Sequence, residues 1–340
     1  MMKFYVKNWR CIEEVNIELS RANIFMGKNS TGKSSLAYAA YFLSKLTEWK
    51  DPNSLAQQLF ATSLDGIIRR DIAGPHYPQV IQVDKTLFEA KTKEDFTIPT
   101  TSPWKDSYLL PSGRVSALKY SQLLSDYISK SIETTPSMRP LLIFTGALTE
   151  LMKALTIPPL LLFIYDWVKV HTGKALIEKK ELGNTGTALL KASTLLSLLE
   201  LHYIDYFTNL EIPLHQAPDG FIDILIIKST IDKAPEGSLI VIEEPENFKN
   251  PLLLIDLTKE IVHKAIEKHL TIIMTTHNDL LVRAIAKAIE EGTATPSDIA
   301  IYYLERSKEN PWTKTRRIAV YEDGTVEEYP DTEGVITKLF

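Results

Sequence analysis

The chain has 340 residues, a formal net charge of −5, 44% hydrophobic and 24% charged residues, and a single cysteine, Cys11. This balance is that of a globular protein with one large domain or two smaller ones, and it excludes a chain that is basic enough overall to bind nucleic acid by bulk charge. One cysteine excludes an intramolecular disulfide and zinc-finger spacing, so a reducing, cytoplasmic setting is the default expectation.

The start, Met1-Met2-Lys3-Phe4-Tyr5-Val6-Lys7, lacks the apolar stretch of a signal peptide. Phe4 to Val6 and Ile12 to Leu19 read as strands. In the second, Val15, Ile17 and Leu19 share one face and Asn16 and Glu18 the other. Ala22 to Met26 is a short apolar run of strand type. It leads into Gly27-Lys28-Asn29-Ser30-Thr31-Gly32-Lys33-Ser34, which fits G-x-x-x-x-G-K-[ST] at every fixed position. Gly27 and Gly32 let the backbone turn its N–H groups inward to form an anion nest. Lys33 brings a point charge to the β- and γ-phosphates, and the Ser34 hydroxyl suits Mg²⁺. Ser35 to Leu43 reads as a helix, and a strand, glycine loop and helix N-terminus in that order place a helix dipole under a phosphate. The whole run, with Ser35, predicts a nucleoside triphosphate site.

Asp51-Pro52-Asn53-Ser54 breaks the pattern, and Leu55 to Phe60 begins another helix. From Asp71 to Pro111, prolines at 75, 78, 99, 103 and 111 fit turns between short strands such as Val80 to Val83. Tyr108 to Leu110 reads as a strand ending in the turn Pro111-Ser112-Gly113-Arg114. From Val115 to Glu211 the Leu-rich periodicity predicts mostly helix, with breaks at Pro136, Pro140, Pro158 and Gly183-Asn184. The most apolar region, Leu141 to Tyr165, is interrupted by Glu150, Lys153 and Pro158-Pro159. It falls short of the roughly 20 residues of a membrane span, and reads as buried helix. The expected organisation is a helical lobe, 115–211, inserted into an α/β lobe made from 1–114 and 212–340.

Phe221 to Ile231 reads as an apolar helix after Asp219-Gly220, and Ser238 to Ile242 as a buried strand running into Glu243-Glu244-Pro245-Glu246. Leu252 to Lys268 is helical, Leu270 to Thr276 is a second buried strand ending at His277, and Asp279 to Glu290 is a helix. Ile299 to Leu304 and Arg317 to Tyr321 read as antiparallel strands. Ligands gather at the carboxyl ends of strands in open α/β sheets. There Glu243 is the candidate for magnesium, acting through water, and Glu244 for orienting the attacking water or acting as its base. A merely solvated acidic turn is the alternative, but the apolar strand aimed at the pair argues for chemistry. His277 is placed to reach the γ-phosphate or the water from the far side, unless it is structural.

Three motifs together, Asn23 to Asn29, Leu239 to Glu246 and Thr275-Thr276-His277-Asn278, resemble those of ABC-type ATPase heads of the SMC, RecF and OLD kind. The short OLD-like ATPases are the nearest in pattern, because Glu-Glu-Pro-Glu replaces the commoner Asp-Glu. The resemblance implies a P-loop NTPase fold, Mg²⁺-dependent ATP hydrolysis, and an ATP-driven homodimer in which a signature loop from one subunit caps the γ-phosphate of the other. The candidate loop is His215-Gln216-Ala217-Pro218-Asp219-Gly220, with Gly220 donating its N–H and Pro218 standing where a serine is expected. Gly183-Asn184-Thr185-Gly186-Thr187 competes with it. A magnesium-touching glutamine is also implied, for which Gln79 and Gln82 are the candidates. Arg114 resembles an arginine of OLD-like heads, although a surface turn reads as well. The family link suggests DNA repair or anti-phage defence, with DNA or a separate effector protein as partner and no membrane. Rival readings are a nucleotide-gated interaction module with negligible turnover, and a small-molecule kinase, against which His277 and the paired glutamates argue.

Overall fold

The computed structural model describes residues 1–119, 159–160, 162–163, 166–167, 177–181, 187–191, 200–205 and 207–330. They fall into two compact units, residues 1–110 with the chain from 234 onward, and residues 111–233.

In the first unit the strands are β1 (Met2–Trp9), β2 (Ile12–Leu19), β3 (Ala22–Met26), β4 (Arg70–Asp71), β5 (Gly74–Pro75), β6 (Gln79–Val83), β7 (Thr86–Ala90), β8 (Phe96–Thr97) and β9 (Ser107–Leu110). The amphipathic strands form an antiparallel sheet of order β2-β1-β6-β7-β8, in which Phe4 pairs with Ile17 and Val6 with Val15. Phe4, Val6, Val15, Ile17 and Leu19 are buried there, as the alternation predicts. Helix α1 (Lys33–Trp49) follows the glycine loop. Helix α2 (Pro52–Phe60) begins on Asp51, whose carboxylate accepts from the backbone N–H groups of Asn53 (3.0 Å) and Ser54 (3.2 Å).

The second unit holds β10 (Ile177–Glu181), β11 (Thr187–Lys191), β12 (Glu200–Ile204) and β13 (Glu211–Pro213), an antiparallel sheet in that order, then helix α3 (Asp219–Lys233). Here the structure departs from the helical expectation for 115–211. Leu, Lys, Glu and Ala favour helix intrinsically, but pairing with neighbouring strands overrides that preference. Leu189-Leu190 in β11 fits neither period. The division also falls at 110/111 and 233/234, so α3 groups with the second unit although the sequence assigns 212 onward to the first. The expected helices across 120–158 and the Gly183–Thr187 loop lie outside the described residues, apart from Thr187 in β11.

The first unit resumes with β14 (Leu239–Glu243), α4 (Pro251–Glu267), β15 (Thr271–Thr276), α5 (Asp279–Glu290), β16 (Ile299–Glu305) and β17 (Lys314–Ile318). These form a six-stranded sheet of order β17-β16-β3-β15-β14-β9, parallel throughout except for β17 on its edge. The central strands β3, β14 and β15 are buried at every residue, which explains their unbroken apolar runs. Their carboxyl ends carry Gly27, Glu244 and His277, so the sheet order alone gathers three candidate elements at one edge. Among the described residues no helix is long and apolar enough to cross a membrane.

Candidate nucleotide site

The loop from β3 into α1 turns through left-handed backbone at Gly27 (φ +143°), Ser30 (φ +65°) and Gly32 (φ +101°). Packing requires both glycines as well. A Cβ on Gly27 would stand 2.2 Å from the Leu304 carbonyl oxygen, and one on Gly32 would stand 2.4 Å from Thr313 Oγ1 and 2.9 Å from Cys11 Sγ. Buried Lys33 folds back over the loop, its Nζ donating to the carbonyls of Gly27 (2.8 Å) and Lys28 (2.7 Å). Ser34 and Ser35 continue in the first turn of α1, where backbone N–H groups have no helical partner.

The loop is braced from outside. Thr313 Oγ1 donates to the Thr31 carbonyl (2.9 Å), Arg306 Nη1 to the Ser30 carbonyl (2.9 Å), and Trp9 Nε1 to the Ser35 carbonyl (2.8 Å). Arg10, from the turn between β1 and β2, lays its guanidinium over the Phe60 ring at 4.5 Å.

A cavity of about 480 Å³ opens over the loop, lined by Arg10, Cys11, Asn29, Ser30, Gly32, Lys33, Ser34, Ser35, Glu244, Thr275 and Arg306. Its charged lining is three cations against one carboxylate, which suits a polyphosphate. Arg10, Cys11 and Arg306 carry no sequence motif. They come from hairpin turns, and only the pairing of β1 with β2 and of β16 with β17 brings them to the loop.

Across the cavity, Glu244 follows β14 with φ +45°, a backbone region that costs a non-glycine residue on the order of 1–3 kcal/mol. Its N–H donates to the Thr275 carbonyl (2.9 Å) and its own carbonyl accepts from the Asn247 N–H (3.1 Å). Its carboxylate accepts from Asn247 Nδ2 at 2.9 Å on one oxygen and lies 3.5 Å from His277 Nδ1 on the other. His277 is half exposed just beyond β15. The structure thus brings the phosphate loop and Glu244 to one cavity and sets His277 beside Glu244, outside the lining.

Glu243 is placed differently. It is buried, it is not among the cavity-lining residues, and it accepts a hydrogen bond from the Tyr38 hydroxyl on α1 (2.9 Å). Burial, followed by the charge of Glu243, pushes the Tyr38 phenol well above its usual value, so it stays a donor. Gly220 lies in the first turn of α3, in the second unit, behind a 3-10 turn at Leu214–Gln216.

Neither glutamine candidate lines the cavity. Gln79 is buried in β6 with its Nε2 on the Ile67 carbonyl (3.2 Å), and Gln82 donates to the Asp84 carbonyl (2.7 Å). Both belong to the antiparallel sheet. Arg114 is no surface turn. Fully buried in the second unit, it grips Asp223 of α3 through Nε (2.6 Å) and Nη2 (2.9 Å), with Nη1 on the Pro111 carbonyl (3.0 Å). Lys119 pairs with Asp219 one turn earlier on α3.

The residues present fit ATP. A Cβ at either loop glycine would collide with Leu304 or Thr313 and push the loop out of its turn, and cations outnumber acids around it. The Ser34 hydroxyl, with a carboxylate acting through water, is a donor set of the kind magnesium accepts. Among the described residues no group of three or more His, Cys, Asp or Glu side chains forms a metal cluster.

A family model described as an AAA ATPase domain matches residues 1–102. A second, described as an AAA domain, putative AbiEii toxin, Type IV TA system, matches residues 166–283. In structure the chain is similar to an SMC head bound to the C-winged helix domain of ScpA, with a TM-score of 0.54 and 12% identity over 94% of this chain and 98% of that one. It is also similar to an SMC head domain with an extended coiled coil bound to the C-terminal domain of ScpA derived from Pyrococcus furiosus, with a TM-score of 0.50 and 12% identity over 94% of this chain and 97% of that one. No curated protein matches in sequence. The fold is a P-loop NTPase fold of the kind seen in SMC head domains.

Proposed function

We propose that this chain, an ABC-type ATPase head in fold, binds ATP with Mg²⁺ at the glycine loop, hydrolyses it there, and pairs with a second copy while ATP is held. One observation carries the reading: Lys33 and Ser34 line the same cavity as Glu244, whose carboxylate is braced from both sides. On binding, the inward N–H groups of residues 28–34 take the β- and γ-phosphate oxygens, and Lys33 exchanges its bonds to Gly27 and Lys28 for bonds to phosphate. Ser34 would hold magnesium directly, and Glu243, buried behind the cavity lining against Tyr38, would reach it only through water; when bound, the ion would supply charge neutralisation on the phosphates. Glu244 orients the attacking water and receives its proton, and His277 steadies Glu244 from the far side. Because the donors are already in place, little reorganisation is needed as charge develops.

In the pair, Gly220 and the turn before it would cap the γ-phosphate held by the other subunit. The AbiEii-type match and the OLD-like motifs support a place in anti-phage defence or DNA repair, with DNA or an effector protein as partner. The lone free cysteine supports a cytoplasmic setting. Pro218 favours a second reading, a nucleotide-gated module with negligible turnover, since it removes a hydroxyl donor from the capping turn.

Steady-state phosphate release decides between them. Turnover in the wild type that disappears in Lys33→Ala together with ATP binding supports hydrolysis at this loop. ATP binding without phosphate release supports the gated module, and ATP affinity unaffected by Lys33→Ala refutes both.

A further inference from the structure

Glu246 is a buried carboxylate beside the reacting groups that the scheme above does not use. Only 8% exposed, it accepts a hydrogen bond on Oε1 from Thr276 Oγ1 at 2.5 Å, while its Oε2 is buried without a partner among the described residues. Burial raises its carboxyl above the usual glutamate value, so the Thr276 hydroxyl is the main offset to the cost of enclosing it.

Thr276 does more than satisfy Glu246. Its hydroxyl oxygen also accepts from the Asn278 backbone N–H at 2.9 Å, so the residues on either side of His277 are tied to one oxygen. Asn278 in turn caps α5 by accepting from the Leu280 N–H at 2.9 Å. His277 is thereby held by its backbone, and it needs to be. Among the described residues its imidazole faces two carboxylates: Glu244, at 3.5 Å, the outer limit of a useful hydrogen bond, and Glu246, which it influences by charge. A shift of a few tenths of an ångström decides whether the contact with Glu244 exists.

The other end of the brace is equally fixed. Glu246 stands two residues after Glu244, across Pro245, whose ring sets φ, and Glu244 itself is locked in left-handed backbone by its bonds to Thr275 and Asn247. We propose that Glu246 is a positioning residue for hydrolysis: through the Thr276 hydroxyl it sets the spacing between the turn that carries Glu244 and the backbone that carries His277. This rests on the ATPase reading above.

The test is a double-mutant cycle on the full chain, reading kcat by phosphate release and ATP affinity with a fluorescent ATP analogue. Glu246→Ala is expected to slow turnover about tenfold, as for loss of one oriented contact, with ATP affinity changed by less than about twofold. In a His277→Ala background it is expected to cause no further loss, because the group it positions has gone. Glu246→Gln, whose Oε1 accepts the same bond, should recover most of the rate, and Thr276→Val, which deletes the bond from the other side at constant volume, should repeat the loss without touching the acid. Wild-type turnover in Glu246→Ala and Thr276→Val, or losses that multiply with His277→Ala, would overturn the inference while leaving the ATPase intact. A wild type that binds ATP without releasing phosphate overturns both.

Discussion

The buried pair of Arg114 and Asp223 separates two roles for charge inside the second unit. Replacing Arg114 by Met leaves the Asp223 carboxylate fully buried with its two guanidinium bonds gone. Removing one partner of such a pair costs about 3–5 kcal/mol, because the carboxylate loses its two guanidinium bonds and keeps its desolvation penalty. Replacing both, in Arg114→Met/Asp223→Leu, removes that penalty together with the attraction, and such swaps are often neutral or stabilising by about 1–4 kcal/mol. Hydrogen exchange on peptides spanning α3 reads this locally, where a global melt of a two-unit chain would blur it. At tenfold per about 1.4 kcal/mol, the single variant should exchange its protected α3 amides roughly 150- to 4,000-fold faster, and the double variant should approach wild-type protection. A single variant within about fivefold of wild type would show that water or another donor reaches Asp223, and the buried-pair account would fail.

Gly32→Ala meets the Thr313 hydroxyl at 2.4 Å with a φ that alanine avoids, so it should weaken ATP binding at least tenfold while circular dichroism stays native; an unchanged affinity would mean that the loop re-forms around the methyl. Glu244→Gln keeps the side chain's shape and removes its negative charge, so ATP should bind but persist, and a dimer should accumulate with ATP and not with ADP. Light scattering across a concentration series checks this, and a monomer throughout would remove the head-to-tail clamp. The absent hydroxyl at Pro218 weakens that dimer by roughly 1.5–3 kcal/mol per site, the worth of one hydrogen bond to a charged group, so it should form only at high protein concentration. If DNA is a partner, a gel shift at low salt should retain it and lose it steeply as salt rises, through counterion release; no retention at low salt would exclude DNA for this chain alone.

What could be read from the sequence follows from how locally each feature is specified. The phosphate loop is specified by eight consecutive residues, and β14 and β15 by runs that are apolar because both faces of a parallel strand are covered. The fold class and the loop therefore showed through, as did the strands whose ends carry Glu244 and His277. Arg10 and Arg306 did not, because each is an arginine in a hairpin turn, and it reaches the cavity only through the register of β1 against β2 or of β16 against β17. Residues 177–213 misled for a different reason. Their Lys, Glu and Leu content satisfies a helix at short range, and the information that makes them strands lies in their partners. Arg114 shows the same limit from the other side. A Pro-Ser-Gly-Arg turn looks exposed in sequence, and only Asp223, 109 residues away, turns its guanidinium inward. Glu246 stands between these cases. Its motif was visible, but its bond to Thr276 depends on β14 and β15 being adjacent, and so the role of the third acid in Glu-Glu-Pro-Glu emerged only from the sheet.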